Sequence, residues 1–285
     1  MTQDIETKIR ERIGRMSKGH KKLSMAILNE CDKVAYMTAA RLGRHTGVSE
    51  STVVRYAFSL GYDGYSELQK AVQELVCAKL TPNQRIDVTK NRIGERDVLE
   101  SVAIADIAKI RSTVDRIDKK EFYNACDAIL GARRIFIAGA RSSEPLAALL
   151  KYNLSLIFDN VTLIEPKSTA EVFEQMFSIS RDDVLICFSF PRYSSKMVNA
   201  VKFAKQNNAK VVVFTDSTSS PLAEFASYLL IAESDMASFM DSLVAPITLI
   251  NAIIIEITTR REGRIRDRFD RLEKIWDEYK VYTKK

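Results

Sequence analysis

The chain has 285 residues, of which 46% are hydrophobic, and a formal net charge of +6. That length and apolar content support packed cores in about two domains. Four cysteines (Cys31, Cys77, Cys126, Cys187) lie far apart with no CxxC pair, and the two histidines are His20 and His45, which argues against a structural zinc site. No metal and no cofactor is expected. Residues 1–80 hold 13 basic and 9 acidic side chains, so +4 of the +6 excess sits in the first third. A local basic field of this kind suits a polyanionic partner.

In chain order, Ile5, Ile9, Ile13 and Met16 recur at helical spacing, a polar stretch follows from Ser17 to Lys22, and Leu23 to Cys31 reads as a second helix. Residues 38–60, TAARLGRHTGVSESTVVRYAFSL, read as two short helices around a glycine-centred turn. Thr38 and Ser49 are placed to cap the two helices. Gly43 sits where the helices must approach closely, and Gly47 falls where a left-handed backbone suits glycine. Gly61 then ends the second helix. The spacing leaves Ser49, Glu50, Ser51, Thr52, Arg55 and Tyr56 for solvent or DNA, at the start of what would be a recognition helix. Arg44 is added as a further DNA contact, and with Lys21, Lys22 and Arg41 it is a candidate for the phosphate backbone, plain solvated charges being the equal alternative. Tyr65 to Leu80 resumes as an amphipathic helix. Residues 81–96, with a proline, mixed charges and few bulky side chains, read as a linker.

From residue 97 the rhythm changes. Asp97–Ile117 and Lys119–Leu130 have helical patterns. Short continuous apolar runs at 133–140, 161–166, 183–190, 210–217 and 228–234 then alternate with helices at 142–158, 168–178 and 194–208. Helices at 241–262 and 265–280 close the chain. Such alternation implies a parallel sheet covered on both faces, with ligands bound beyond the carboxyl ends of the strands. The expected architecture is therefore an all-α helix-turn-helix domain over 1–80, the linker, and an α/β domain over 97–285. The N-terminal stretch carries no apolar signal core. The longest apolar run, Leu243 to Ile257, is interrupted by Pro246, Thr248, Asn251 and Glu256. A cytoplasmic protein with reduced thiols is expected.

Three loops at the strand ends are rich in hydroxyls: Gly139-Ala-Arg-Ser-Ser143, Ser189-Phe-Pro-Arg-Tyr-Ser-Ser195 and Thr215-Asp-Ser-Thr-Ser-Ser-Pro221. Two of them open onto helix N-termini, where backbone N–H groups, hydroxyls and the helix dipole form an anion site. The expected effector-binding residues are Gly139, Arg141, Ser142, Ser143, Ser189, Arg192, Tyr193, Ser194 and Thr215.

With these motifs in hand, nearly the whole chain resembles the RpiR family of bacterial transcription regulators, in which a helix-turn-helix domain is joined to a sugar isomerase (SIS) domain of flavodoxin-like fold. The segment GVSESTVVRYAFSLGYDGYSELQ, residues 47–69, is similar to the family's turn, recognition helix and tail. Phe188 to Ser194 resembles the SIS phosphate loop, written S-x-S-G-x-T. Ser189 matches the first serine and Ser194 stands for the threonine, but Pro191 replaces the second serine and Arg192 the glycine. The first loop, written G-x-G-x-S, keeps Gly139 and Ser143 and has Arg141 for its second glycine. Pro191 brings neither hydroxyl nor N–H, and the two arginines bring positive charge into space that glycines leave open.

The resemblance implies a regulator that binds an inverted-repeat operator as a homodimer or homotetramer. Its SIS domain would sense a small anionic metabolite, a phosphosugar first and a carboxylated metabolite next. Helix 241–262, rich in Ile and Leu, is one candidate for dimer packing, with a plain core helix as the equal alternative. SIS domains also occur in isomerases. Both histidines lie in the first 80 residues, however, and the α/β domain offers only carboxylates such as Glu144 and Asp216 beside its loops. An enzyme is therefore not expected. The other alternative is an effector-independent DNA-binding protein.

Overall fold

A computed structural model describes residues 5–79, 82–93, 97–165, 167–234 and 240–283. The chain separates into two compact units, one built on residues 1–95 and the other on 96–235 and 241–285. The first unit is helical: α1 (Ile5–Arg12), α2 (Lys18–Asn29), α3 (Cys31–Val34), α4 (Ala39–Thr46), α5 (Glu50–Ser59), α6 (Tyr65–Lys79) and α7 (Pro82–Ile93). The segment expected as a linker thus carries a helix over Pro82–Ile93, since proline at a first helical position leaves no hydrogen bond unmade.

Ile9, Leu23, Ile27, Leu42, Val53, Tyr56, Ala57, Leu60, Leu68 and Val72 form one buried cluster in this unit. The turn between α4 and α5 is set by glycine geometry. Gly47 adopts φ 66°, and a Cβ on Gly43 would lie 2.8 Å from the Val48 carbonyl oxygen. Helix α6 is tied to the end of α3 by its side chains. The Tyr65 hydroxyl and Gln69 amide donate to the Met37 carbonyl at 2.6 and 2.8 Å, and the Gln73 amide donates to that of Ala35 at 2.9 Å.

The second unit begins with α8 (Val98–Arg116) and α9 (Lys119–Leu130), then runs β1 (Ile135–Gly139), α10 (Glu144–Ser155), β2 (Val161–Ile164), α11 (Thr169–Met176), β3 (Val184–Phe188), α12 (Ser195–Gln206), β4 (Lys210–Thr215) and β5 (Tyr228–Ile231), and ends with α13 (Val244–Arg260) and α14 (Glu262–Glu278). The strands form a parallel sheet in the order β2-β1-β3-β4-β5. Each strand is shorter than its apolar run suggests, because the polar ends of those runs leave the ladder to start loops.

Alternate side chains feed two cores. Ile135, Ile137, Ile186, Phe188, Val212 and Phe214 pack with α9, α10 and α13, while Phe136, Ala138, Leu185, Cys187, Val211 and Val213 pack with α11 and α12. This two-faced burial is why the strands read as continuous apolar runs. At the amino ends of the strands, the fully buried Asp183 carboxylate accepts hydrogen bonds from Arg133 at 2.8 Å and Arg134 at 3.0 Å. Burial alone would raise its pKa; those arginines and the Ser180 N–H overcome that and hold it at about 2.

Helix α13 buries Ala245, Pro246, Leu249, Ile250, Ile253 and Ile257 in the sheet-facing core. The core-helix reading accounts for these residues, while Ile255 on the same helix is exposed.

Candidate functional site

Two places combine exposed polar side chains with helix N-termini. The first is the start of α5. Ser49 accepts from the Thr52 N–H at 3.2 Å, and its hydroxyl lies 3.0 Å from that of Ser51 and 2.8 Å from that of Thr52. Arg55 reaches the Thr52 hydroxyl at 3.4 Å one turn on. Glu50, Ser51 and Arg55 are exposed, as is Arg44 on α4, and Thr52 is half-buried. The N-terminus of α2 packs against this turn, with Gly19 lying against Thr52 and Val48 so that an added Cβ would sit 3.5 Å from each. Ser17, His20, Ser49, Thr52 and Arg55 line a common cleft. Lys18, Lys21 and Lys22 continue the basic surface along α2 toward His45. His20 is held below the ordinary histidine pKa, first by burial and then by the Arg55 charge.

Tyr56 is a correction. Expected on the exposed face, it is fully buried, and its hydroxyl lies 2.7 Å from that of Ser24. Burial drives its pKa well above the ordinary tyrosine value. It sits three residues after Val53 and one before Ala57, on the face that meets α2, so a phenol that could have served as a DNA contact is part of the core instead. The part played by α2, with Ser17 and His20, was legible only as a polar stretch; the Ser-x-x-His capping spacing was its one signal.

The second place lies beyond the carboxyl ends of β1 and β3. The chain leaves β1 for β2 on one side and returns to β3 on the other, so the loops after β1 and β3 flank the topological switch point of the sheet, where a crevice is expected. Gly139 ends β1 where a Cβ would lie 2.5 Å from the Ser143 carbonyl oxygen, so only glycine lets the following 3-10 turn fold back. Arg141 (φ 58°) and Arg192 (φ 67°) are both left-handed, one in each loop, at the two positions where the motifs written above carry glycine. An L-residue there costs about 1–2 kcal/mol of local strain. Both arginines are exposed, and their side chains make no hydrogen bond or ion pair among the described residues.

Ser143 and Ser194 occupy the N-cap positions of α10 and α12, yet neither hydroxyl caps its helix. Ser143 and Ser189 are buried, Ser142 is exposed and Ser194 half-buried, and their hydroxyls have no partner among the described residues. The β3 loop is tied to β4: the Tyr193 hydroxyl donates to the Asp216 carboxylate at 2.7 Å, as does Thr215 at 3.1 Å. Burial raises the Asp216 pKa, against the Tyr193 and Thr215 hydrogen bonds that lower it. Thr215 is itself fully buried, so it braces the loop from beneath. The arrangement therefore offers the N-terminus of α12, four hydroxyls unpartnered among the described residues and two guanidinium groups to an anion, whereas α10 runs on from a 3-10 turn in which the Ser143 and Glu144 N–H groups donate to the Ala140 and Arg141 carbonyls.

A family model described as the helix-turn-helix domain of the rpiR family matches residues 3–79, and the SIS domain model matches residues 128–256. The chain belongs to the RpiR family. An uncharacterised HTH-type transcriptional regulator of Haemophilus influenzae is 28% identical over 220 residues, covering 76% of this chain and 75% of that protein. The HTH-type transcriptional regulator HexR of Escherichia coli is 24% identical over 284 residues, covering 95% and 93%. Among solved structures, the Vibrio vulnificus NanR protein complexed with ManNAc-6P has a TM-score of 0.60 at 20% identity, covering 96% of this chain and 98% of that one. The sugar isomerase domain of an RpiR transcription factor from Sphaerobacter thermophilus has a TM-score of 0.58 at 24% identity, covering 61% and 97%. This RpiR-family chain is thus a DNA-binding transcriptional regulator in which a helix-turn-helix unit is joined to a SIS unit. Among the described residues, no helix is long and apolar enough to cross a membrane.

Proposed function

We propose that the SIS unit senses a small anionic metabolite, a phosphosugar first and a carboxylated metabolite next, at the β1/β3 crevice. Binding there would shift the affinity of the α5 face for an inverted-repeat operator. The carrying observation is that Ser143 and Ser194 leave the N-termini of α10 and α12 uncapped, with left-handed Arg141 and Arg192 beside them. Unpaired hydroxyls and guanidinium groups in the β1 and β3 loops, beside the N-terminus of α12, suit phosphate oxygens. The NanR neighbour, bound to ManNAc-6P, supports the same ligand class. For the shift to be allosteric, the ligand must favour one arrangement of the regulator energetically.

Sensing rather than isomerisation is the reading for this unit. Both histidines lie in the helix-turn-helix unit, and Glu144 is exposed in the first turn of α10, where a carboxylate favours the helix dipole. Titration calorimetry with phosphosugars against their neutral sugars tests the site. Phosphate-dependent binding that is lost in Arg192→Ala is expected, and equal affinity for neutral sugars overturns the proposal. Turnover of a phosphosugar followed by NMR, abolished in Glu144→Gln, overturns the sensor reading. On the DNA side, Ser49, Glu50, Ser51, Thr52 and Arg55 read bases or phosphates, and Arg44, Arg41, Lys21 and Lys22 hold the backbone. Arg55→Ala should weaken operator binding by roughly 1–3 kcal/mol in a fluorescence anisotropy titration if it reads a base. Unchanged affinity would remove it from the interface. The protein would bind as a homodimer or a larger homo-oligomer, matching operator symmetry.

A further inference from the structure

Helix α8 turns several polar side chains toward the SIS core. Lys109 is buried and pairs with Asp106 at 3.2 Å, and Asp106 also accepts from the Ser242 hydroxyl at 2.9 Å. Ser112 donates to Glu233 at 2.6 Å, Arg116 pairs with the same carboxylate at 3.0 Å, and Thr113 accepts from the Glu233 N–H at 2.9 Å. The apolar side chains face out: Leu99 is 79% exposed, Ile104 61%, Ile107 66% and Val114 45%. An apolar helix face in water is unfavourable, and contiguous exposed patches of this kind mark interaction surfaces.

The sequence along that face says what covers it. Glu100, Ile104, Ile107, Arg111 and Val114 follow at steps of four, three, four and three residues, the spacing of a packing seam between two helices. A two-fold axis perpendicular to two antiparallel α8 helices pairs residues whose numbers have a constant sum. The register that sets Glu100 against the partner's Arg111 also sets Ile104 against the partner's Ile107, and Ala103 against the partner's Ala108. One alignment therefore satisfies the apolar centre and the charged ends together. Arg111 holds Asp115 of its own helix at 3.1 Å in an exposed pair, which leaves guanidinium donors for a second carboxylate.

We infer that the occupant is a second copy of this chain, joined through an antiparallel α8–α8 seam with Ile104 and Ile107 at its centre and a Glu100–Arg111 pair at each end. The inference rests on the homodimeric reading given above and names its interface. Sedimentation velocity on the full-length protein without DNA tests it, with thermal unfolding as the control for folding, since all the substituted side chains are exposed. The wild type should sediment as a dimer, and Ile107→Asp should weaken dimerisation at least 100-fold. Glu100→Arg and Arg111→Glu should each weaken it about tenfold, and the two together should restore it. Restoration distinguishes this register from a general loss of apolar surface.

A monomeric wild type, an Ile107→Asp protein that dimerises as tightly as wild type, or a double variant no better than either single one overturns the seam. Operator binding is read separately. A dimeric Ile107→Asp protein that still binds operator removes α8 and leaves the regulator reading standing. Lost operator binding by the intact wild-type dimer counts against the operator reading and leaves the seam in place.

Discussion

The serines that start helices do different work in the two units. In the helix-turn-helix unit, Ser17, Thr38 and Ser49 each accept the N–H of the residue three ahead, at 3.3, 3.2 and 3.2 Å. Away from the crevice Asp97, Asp118 and Ser168 likewise close α8, α9 and α11, while α13 and α14 start at Leu243 and Arg261 without a side-chain cap. At the crevice it does not: Ser143 and Ser194 sit at N-caps with hydroxyls unused. Left-handed backbone shows the same contrast, falling on Gly47, Gly61 and Gly64 in the first unit and on Arg141 and Arg192 in the crevice loops. A serine at a helix start ordinarily closes it with its own hydroxyl; one that does not, beside strained cations, keeps that hydroxyl for something else.

Substitutions can break or sharpen that contrast. The largest effect is expected for Tyr56→Ala, which should lower the stability of the helix-turn-helix unit by about 3–4 kcal/mol in urea unfolding, because a fully buried ring leaves a cavity. If stability held and operator binding alone fell, Tyr56 would belong to the DNA face after all. Asp183→Asn should cost the SIS unit roughly 2–3 kcal/mol, since two arginines lose a buried partner. The Asp183 pKa is depressed from 3.8 to about 2, so its stabilisation is complete above the ordinary aspartate range and fades as pH falls from 3.8 toward 2. The asparagine variant should lose that part of the acid limb in a pH-dependent melt.

The paired test of the contrast is smaller. Ser49→Ala should cost about 1 kcal/mol as a lost cap, whereas Ser194→Ala should stay within about 0.5 kcal/mol and show its loss in anion affinity by calorimetry. Equal stability losses would mean that Ser194 is an ordinary cap. Smallest in stability are Arg141→Gly and Arg192→Gly. Relief of about 1 kcal/mol of strain is nearly offset by about 0.5–1 kcal/mol of glycine backbone entropy. Their melting temperatures should hold or rise slightly while anion binding weakens. Unchanged binding would remove the guanidinium groups from the site.

Much of the first unit was legible in the sequence because its determinants are local. Caps at Thr38 and Ser49, the left-handed Gly47 and the close approach at Gly43 depend on residues within a few positions of one another. Tyr56 escaped because its burial depends on Ser24 and His20, more than 30 positions away, and a phenol suits either environment. In the SIS unit, the order of strands and helices was readable from alternating apolar runs, and the three loops from their hydroxyls. The strand starts were overestimated at Arg133, Arg134 and Asp183, whose side chains form an ion-paired cluster at the amino ends of the strands. Helix α8 shows the same limit most sharply. Its sequence read simply as a helical pattern, yet its buried side chains are Lys109 and Thr113 rather than its Leu, Val and Ile residues.

The sequence by itself determined the two-part architecture, the turn of the DNA-reading helices and the hydroxyl-rich loops of the crevice. Periodicity, glycine and capping chemistry act over a single turn and need no distant partner. Only the tertiary structure decided which face of α5 is buried, which N-caps stay open, that both crevice arginines are left-handed, and that α8 turns its apolar side to water. Each of those depends on desolvation and backbone geometry imposed by segments far apart in the chain.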